Sequence, residues 1–233
     1  MYYKLSNNKS NFLIQNKVFV PTGTSELLIE TSEKIIKKKK KILDLGCGSG
    51  IVGISIAKRL KTKEKVFFSD ISKQACQNTK LNCKKMNINA EIKQGSLLKP
   101  WDGHKFDYIV SDVAAIAKDV SVISPWYKGC INDSGYDGTK HIINIISNSK
   151  KYLKKNGRFI FPIISLSNEK KILNACKKNY KKIKEIKTKI FPLPKSMLKN
   201  MKVLIKLKKK GVIFFQEKFG IIVFKTTVYS LTK

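Results

Sequence analysis

Short apolar runs and longer segments of helical period take turns along most of the chain. The runs are KILDLG (41–46), VFFSDI (66–71), AEIKQG (90–95), FDYIVSD (106–112) and RFIFPIIS (158–165), each of a length that suits a strand. Between them lie 51–61, 73–86, 139–155 and 168–178, which read as helices. Strands alternating with helices predict parallel βαβ units, so the expected class is α/β, a doubly wound Rossmann-like and mostly parallel sheet. Ahead of this core, NFLIQNKVFVP (11–21) is expected to be extended. TSELLIETSEKII (24–36) places Leu27, Leu28, Thr31, Ile35 and Ile36 on one helix face, with Pro21 and Gly23 at the join. Behind it, YKKIKEIKTKIF (180–191) and GIIVFKTTVYSL (220–231) read as two longer strands separated by a lysine-rich stretch. They are predicted to pair antiparallel at one sheet edge. No linker divides the chain, so one domain over 1–233 is expected, made of an N-terminal strand and helix (1–37), a βα core (41–178) and C-terminal antiparallel strands (180–233).

Composition narrows the partners. The 233 residues are 42% apolar, enough for a well-buried core. The start, MYYKLSNNKS, has no apolar segment of signal type, and no stretch approaches the roughly 18 apolar residues of a membrane span. A cytoplasmic protein with no membrane partner is expected. The net charge is +32, yet only Arg59 and Arg158 are arginines. Such an excess suits nucleic acid, the ribosome or an acidic protein as partner, and it equally suits the lysine, isoleucine and asparagine bias of an AT-rich coding sequence. The run KKKK at 37–40 reads as a solvated helix end. Five cysteines without a CxxC pair, and two histidines, suggest neither disulfides nor a metal site. Cys76 and Cys83 are expected to be small buried thiols on a helix.

The chemistry concentrates in KILDLGCGSGIVGISIAKRL (41–60). Gly48-Ser49-Gly50-Ile51-Val52-Gly53 fits the dinucleotide fingerprint G-x-G-x-x-G, with Asp70 at the distance of a ribose ligand. In that fold, however, the first glycine follows the strand at once, whereas Asp44-Leu45-Gly46-Cys47 intervenes here. The register Asp44-x-Gly46-x-Gly48-x-Gly50 starts at the strand end and accounts for the acid. It resembles the first motif of class I S-adenosylmethionine-dependent methyltransferases. That ligand has no pyrophosphate; its ammonium suits a carboxylate, and its bulk requires the close backbone approach that glycine permits.

The resemblance implies a seven-stranded sheet of the class I type and S-adenosylmethionine as cofactor. Asp44 and the loop with Gly46, Cys47, Gly48 and Gly50 would hold its methionine part. Asp70, with Ile71 beside it, would hold the ribose, and Ser96 and Leu97 the adenine. Further stretches are similar to the HemK-type glutamine methyltransferases that modify release factors, and to related base-amino methyltransferases. VFVPTGTSELLIE (18–30) looks like a segment of that branch, which implies a place for Ser25 at the cofactor site. SGYDGTKHIINIISNSKKYLKKNGRF (134–159) looks like another, with a glycine turn before the fifth strand. The branch's tetrapeptide [ND]-P-P-Y stands here as Asp112-Val113-Ala114-Ala115, which keeps only the acid. Its bacterial members' N-terminal helical domain has no counterpart, and Ser96 replaces an acid that often contacts the adenine. Asp112 is the catalytic candidate, expected to orient or deprotonate a nucleophilic nitrogen or oxygen, or else to cap the next helix. In the long connection 113–138, Trp126 and Tyr127 are the substrate-binding candidates, replacing the missing tyrosine by stacking. The reading is a methyltransferase acting on nucleic acid or a ribosomal or translation-factor protein. Its rivals are a cofactor-binding module without catalysis that binds RNA or the ribosome, and a dinucleotide oxidoreductase.

Overall fold

The computed structural model describes residues 1–5, 11–113, 115–127, 129–130 and 132–233. Of the stretches singled out above, Ala114 in the tetrapeptide and Lys128 and Ile131 in the long connection lie outside the described residues.

In chain order the elements are β1 (Tyr2–Lys4), β2 (Asn11–Leu13), α1 (Gly23–Ile35), β3 (Ile42–Leu45), α2 (Ile51–Leu60), β4 (Val66–Asp70), α3 (Lys73–Lys85), β5 (Ala90–Gln94), β6 (Phe106–Ser111), α4 (Lys118–Ile123), α5 (Lys140–Tyr152), β7 (Leu153–Ile164), α6 (Glu169–Asn179), β8 (Lys182–Pro192), α7 (Lys195–Leu198), α8 (Met201–Lys209), β9 (Gln216–Lys218) and β10 (Ile221–Thr232). The main sheet runs β5-β4-β3-β6-β7-β10-β8, with β9 paired to β10, while β1 and β2 form a separate antiparallel pair. The five strands from β5 to β7 are parallel, and β10 lies antiparallel between β7 and β8. From β3 the chain steps outward through β4 and β5, then returns to lay β6 and β7 on the other side of β3. This reversal opens a crevice outside the carboxyl ends of β3 and β6, where doubly wound sheets bind ligands.

The alternation of side chains along each strand divides the core. Ile42, Phe68, Val110 and Val228 pack under α1, α2 and α3 with Leu27, Leu28 and Ile54. Leu43, Phe67, Ile109 and Tyr229 face α5 and α6 with Ile142, Ile146 and Ile172. Trp101 is fully buried in this second layer, and its indole N–H donates to Ser69 Oγ at 2.9 Å. A third cluster joins Leu193, Met197, Leu204 and Phe215 to Ile116, Val120 and Phe224.

The predicted α/β class and parallel core are present, with five differences. The main sheet has eight strands, not seven, because the short β9 folds back on β10. Strand β10 is interior, so β8 alone forms that edge. The extended segment 11–21 is a strand only over β2; its remainder is held by side chains of α3. The lysine-rich stretch before β9 is folded into α7 and α8. The glycine turn expected before the fifth strand lies inside β7, where Gly157 follows Asn156 at φ 62° and the register with β6 slips.

Candidate active site

The loop after β3 is held from three sides. The N–H groups of Gly46 and Cys47 both donate to Ser69 O, at 2.8 and 3.0 Å, tying the loop to the end of β4. From α3, Thr79 Oγ1 donates to Gly48 O at 3.0 Å and Asn82 Nδ2 to Ser49 O at 2.8 Å. Asn82 and Asn78 also donate to Leu13 O, so one polar stripe of α3 fixes both the loop and the extended N-terminal segment. Two glycines are required for different reasons. At Gly46, φ is +73° and an added Cβ would lie 2.5 Å from Val113 Cγ2, so loop and β6 end meet there. At Gly48, φ is +56° and nothing lies within 4 Å of that position. Gly48 instead lines a cavity.

A cavity of about 590 Å³ lies at this point, a size usual for small-molecule sites. It takes in Ser25 from α1, Gly46, Cys47 and Gly48 from the loop, Asp70 and Ile71 from the end of β4, Ser96 and Leu97 after β5, and Asp112 and Tyr127. Ten of the thirteen candidate site residues therefore meet on one wall system. Asp44 and Gly50 do not line it. Asp44 shares the strand face of Ile42, is 1% exposed, and accepts Gly53 N–H at Oδ2 (2.8 Å), so its carboxylate braces the first turn of α2. Asp44 thus lies beneath the loop and not on the cavity wall, where the expected contact with a ligand ammonium would need it. Gly50 caps α2 in a left-handed conformation against Thr79.

The three acids sit in unequal surroundings. Burial pushes Asp44 up to about 7, against the Gly53 hydrogen bond, with the Asp112 and Asp70 charges adding to it. Burial also raises Asp70, opposed by N–H groups of Ser72 (2.9 Å, at Oδ1) and Gly48 (3.0 Å, at Oδ2). Asp112 is pushed up to about 6 by burial, opposed by the Ser25 hydroxyl, which donates to Oδ2 at 2.5 Å. Ser25 is itself fixed by the first turn of α1. Thr22 caps that helix, and Ser25 Oγ accepts Thr22 N–H at 3.3 Å, a reciprocal capping box.

A second cavity of about 190 Å³ adjoins the first and shares Phe19, Asp112, Val113 and Tyr127 with it. Trp126, Phe191, Phe224, Pro192 and Pro194 give it a largely apolar wall, with Thr22 and Thr24 beside them. Trp126 belongs here and not to the first cavity, its ring 5.6 Å from that of Phe224. Tyr127 stands between the two cavities with its ring 5.2 Å from Phe19, and burial and the nearby Asp112 raise its phenol.

Sequence reading missed several wall residues. Lys140, His141 and Asn144 on the first turns of α5 line the larger cavity, with Asp133 ion-paired to Lys140. His141 and Asn144 are three apart directly after a glycine turn, which aims one face of the helix start at the carboxyl edge of the sheet. Phe191 and Phe224 carried no signal, because each reads as an ordinary strand residue. Among the described residues no group of three His, Cys, Asp or Glu could hold a metal, and no helix is long and apolar enough to cross a membrane.

Residues 12–113, which contain the whole loop and the end of β6, match the model of the small methyltransferase domain family. Over 164 residues the chain is 34% identical to a release factor glutamine methyltransferase of Clostridium acetobutylicum, covering 66% of this chain and 57% of the relative. It is 29% identical to a putative protein N5-glutamine methyltransferase of Methanocaldococcus jannaschii, covering 69% of this chain and 79% of that one. The chain spans a little over half the length of the release factor relatives. In fold the chain resembles the T. thermophilus 16S rRNA N2 G1207 methyltransferase solved with AdoMet and guanosine. The TM-score is 0.63 at 12% identity, over all of this chain and half of that one.

Proposed function

We propose that the protein is an S-adenosylmethionine-dependent methyltransferase acting in the cytoplasm on a component of the translation machinery, with Asp112 at the point of transfer. One observation carries this reading: a continuous cavity leads from the glycine loop and Asp70 to Asp112, and there meets a second, aromatic cavity. The relatives' substrates, release factor glutamine and ribosomal protein L11, favour a translation-linked acceptor.

The residues present fit that cofactor. The open space over Gly48 is where a Cβ would project into the cavity, and Asp70 lies on the rim with a carboxylate able to accept further hydrogen bonds from ribose hydroxyls. Ser96 and Leu97 would border the adenine, and His141 and Asn144 of α5 line the same cavity. Cofactor bound there supplies a sulfonium methyl group that leaves a neutral thioether behind. The protein has no leaving group to activate, so its work is alignment and exclusion of water. Asp112, ionised above pH about 6, accepts a hydrogen bond from the acceptor N–H or O–H and turns its lone pair to the methyl group. Ser25 holds the carboxylate in place. The acceptor enters through the aromatic cavity.

Calorimetric titration with the cofactor and its demethylated product is expected to show saturable binding at one site; an absence of heat with both refutes the reading. With tritiated cofactor and cell extract, wild type should label one macromolecular fraction. Asp112→Ala should reduce that label by about 10²–10⁴-fold with cofactor affinity retained. Cofactor binding with no label from wild type would identify a binding module without catalysis.

A further inference from the structure

Residues 193–220, inserted between β8 and β10, form a small unit with a definite inner face and an unusual outer one. Leu193, Met197, Leu204 and Phe215 bury that unit against Ile116, Val120 and Phe224. It is thereby anchored at the carboxyl edge of the sheet, and Pro194 at its root lines the aromatic cavity beside Asp112.

The outer face carries charge without counter-charge. Eight lysines stand against one acid, Glu217, in these 28 residues, and all eight are exposed. Ten lysines elsewhere form ion pairs, yet among the described residues none of these eight lies within 4 Å of a carboxylate. On α8, Lys202 and Lys206 are one turn apart, and Lys206 and Lys210 repeat the spacing at its end, a repulsive arrangement in an isolated helix. Apolar groups are exposed among these cations. Phe214 is 46% exposed with Lys208 Nζ 5.4 Å from its ring, and Phe219, at the turn into β10, is fully exposed. Cations interleaved with free aromatic faces, on a rigid base, suit a strand whose phosphates and unstacked bases are both available.

We propose that this face of the 193–220 insert binds single-stranded RNA, lysines on phosphates and Phe214 and Phe219 on bases, and leads one base toward the aromatic cavity at Asp112. The inference rests on the proposed function for its purpose, but not for the binding itself. A membrane surface fits less well, because α8 exposes only Ile205 amid its lysines and offers no continuous apolar face.

The test is fluorescence anisotropy with a labelled 20-nucleotide single-stranded RNA between 50 and 200 mM salt. Wild type should bind with a salt slope of about −0.7 for each phosphate neutralised. The triple variant Lys202→Glu, Lys206→Glu, Lys209→Glu should lose at least about tenfold in affinity and flatten the slope. Phe219→Ala should lose about fivefold or more with the slope kept. Cofactor calorimetry should be unchanged in both. A control triple at the opposite edge, Lys61→Glu, Lys63→Glu, Lys84→Glu, should retain affinity. Equal loss in the control would mean diffuse charge and overturn the inference. So would no RNA binding at 50 mM salt, or binding to phosphatidylserine vesicles in place of RNA. RNA binding mapped to the insert together with absent cofactor heat would refute the methyltransferase reading and leave this one standing.

Discussion

The two halves of the cleft are built by opposite means. The half around the glycine loop is made of backbone: Gly46, Cys47 and Gly48 present peptide groups, and the side chains that matter there, Thr79 and Asn82, act by gripping carbonyls. The half around Trp126 is made of side chains, with Phe19, Trp126, Phe191 and Phe224 converging from four segments spread over some two hundred residues. A backbone site is specified by local conformation, so a short contiguous motif encodes it and few residues can be exchanged. A side-chain site is specified by tertiary packing, so its chemistry can change while the fold stays. The cofactor half is therefore expected to tolerate little, and the acceptor half to be where this chain departs from its relatives.

Paired substitutions break that comparison most directly. Gly48→Val places a branched side chain in the open space over the loop. It should weaken cofactor binding by about 10–100-fold, combining the steric loss with the left-handed strain of about 1–2 kcal/mol, measured by calorimetry. Trp126→Ala should do the reverse, leaving cofactor affinity intact and weakening acceptor use by about 5–100-fold in kcat/KM. If both variants lose cofactor affinity alike, the two halves are one pocket and the contrast is false.

Next in size is the test of Asp44. Its folded value near 7 lies above the ordinary carboxylate value of 3.8. The folded state therefore holds this proton more tightly than the unfolded chain does, and Asp44 makes stability fall as pH rises from about 4 to about 7. Asp44→Asn keeps an acceptor for Gly53 N–H without the buried charge. It should melt above wild type at pH 8, the gap narrowing toward pH 4, with cofactor affinity kept. Asp44→Ala leaves that N–H unpaired and should cost about 1–3 kcal/mol in chemical denaturation. Lost cofactor affinity in Asp44→Asn with unchanged melting would restore a direct ligand contact.

The same contrast decides what the sequence made legible. Asp70, Gly46 and Gly48 could be placed because strand, acid and glycine loop are consecutive, and backbone conformation follows from residue type. Asp44 lies in the same motif yet off the cavity wall. Its neighbour in phase is Ile42, which packs toward α1, so period-two alternation already turned Asp44 under α2 rather than into the crevice. Trp126 and Tyr127 illustrate the reverse difficulty, since of two adjacent residues of equal promise Tyr127 lines both cavities and Trp126 only the smaller. In the insert, the lysines concealed a helical spacing of Leu193, Met197, Leu204 and Leu207, so a folded unit read only as a lysine-rich stretch between two strands. The polar stripe Asn78, Thr79 and Asn82 is fully buried, yet its residue types are those of an exposed face. Only the backbone carbonyls and N–H groups it meets, distant in sequence, explain it.

The smallest effect tests the seam where the two halves meet, the Ser25–Asp112 hydrogen bond. Ser25 belongs to the capping box of α1 and Asp112 follows β6, so the bond ties a local helix start to the proposed transfer point. A donor on the carboxylate favours its charged form, which makes Ser25 a force lowering Asp112 against the burial that lifts it to about 6. Removing the hydroxyl must raise Asp112 further. In wild type, kcat/KM should climb with pH through an inflection near 6 as Asp112 ionises. In Ser25→Ala the inflection should move upward, so that the deficit is largest near pH 6 and fades toward pH 8. Loss of the Thr22 N–H partner should also cost about 0.5–1 kcal/mol of stability. Ser25→Thr, which keeps a hydroxyl, should return the inflection to its wild-type position, separating proton control from helix capping. An inflection that stays put in Ser25→Ala would show that Asp112 is not the group whose ionisation limits transfer, and would leave the carboxylate as a cap for the chain that follows β6.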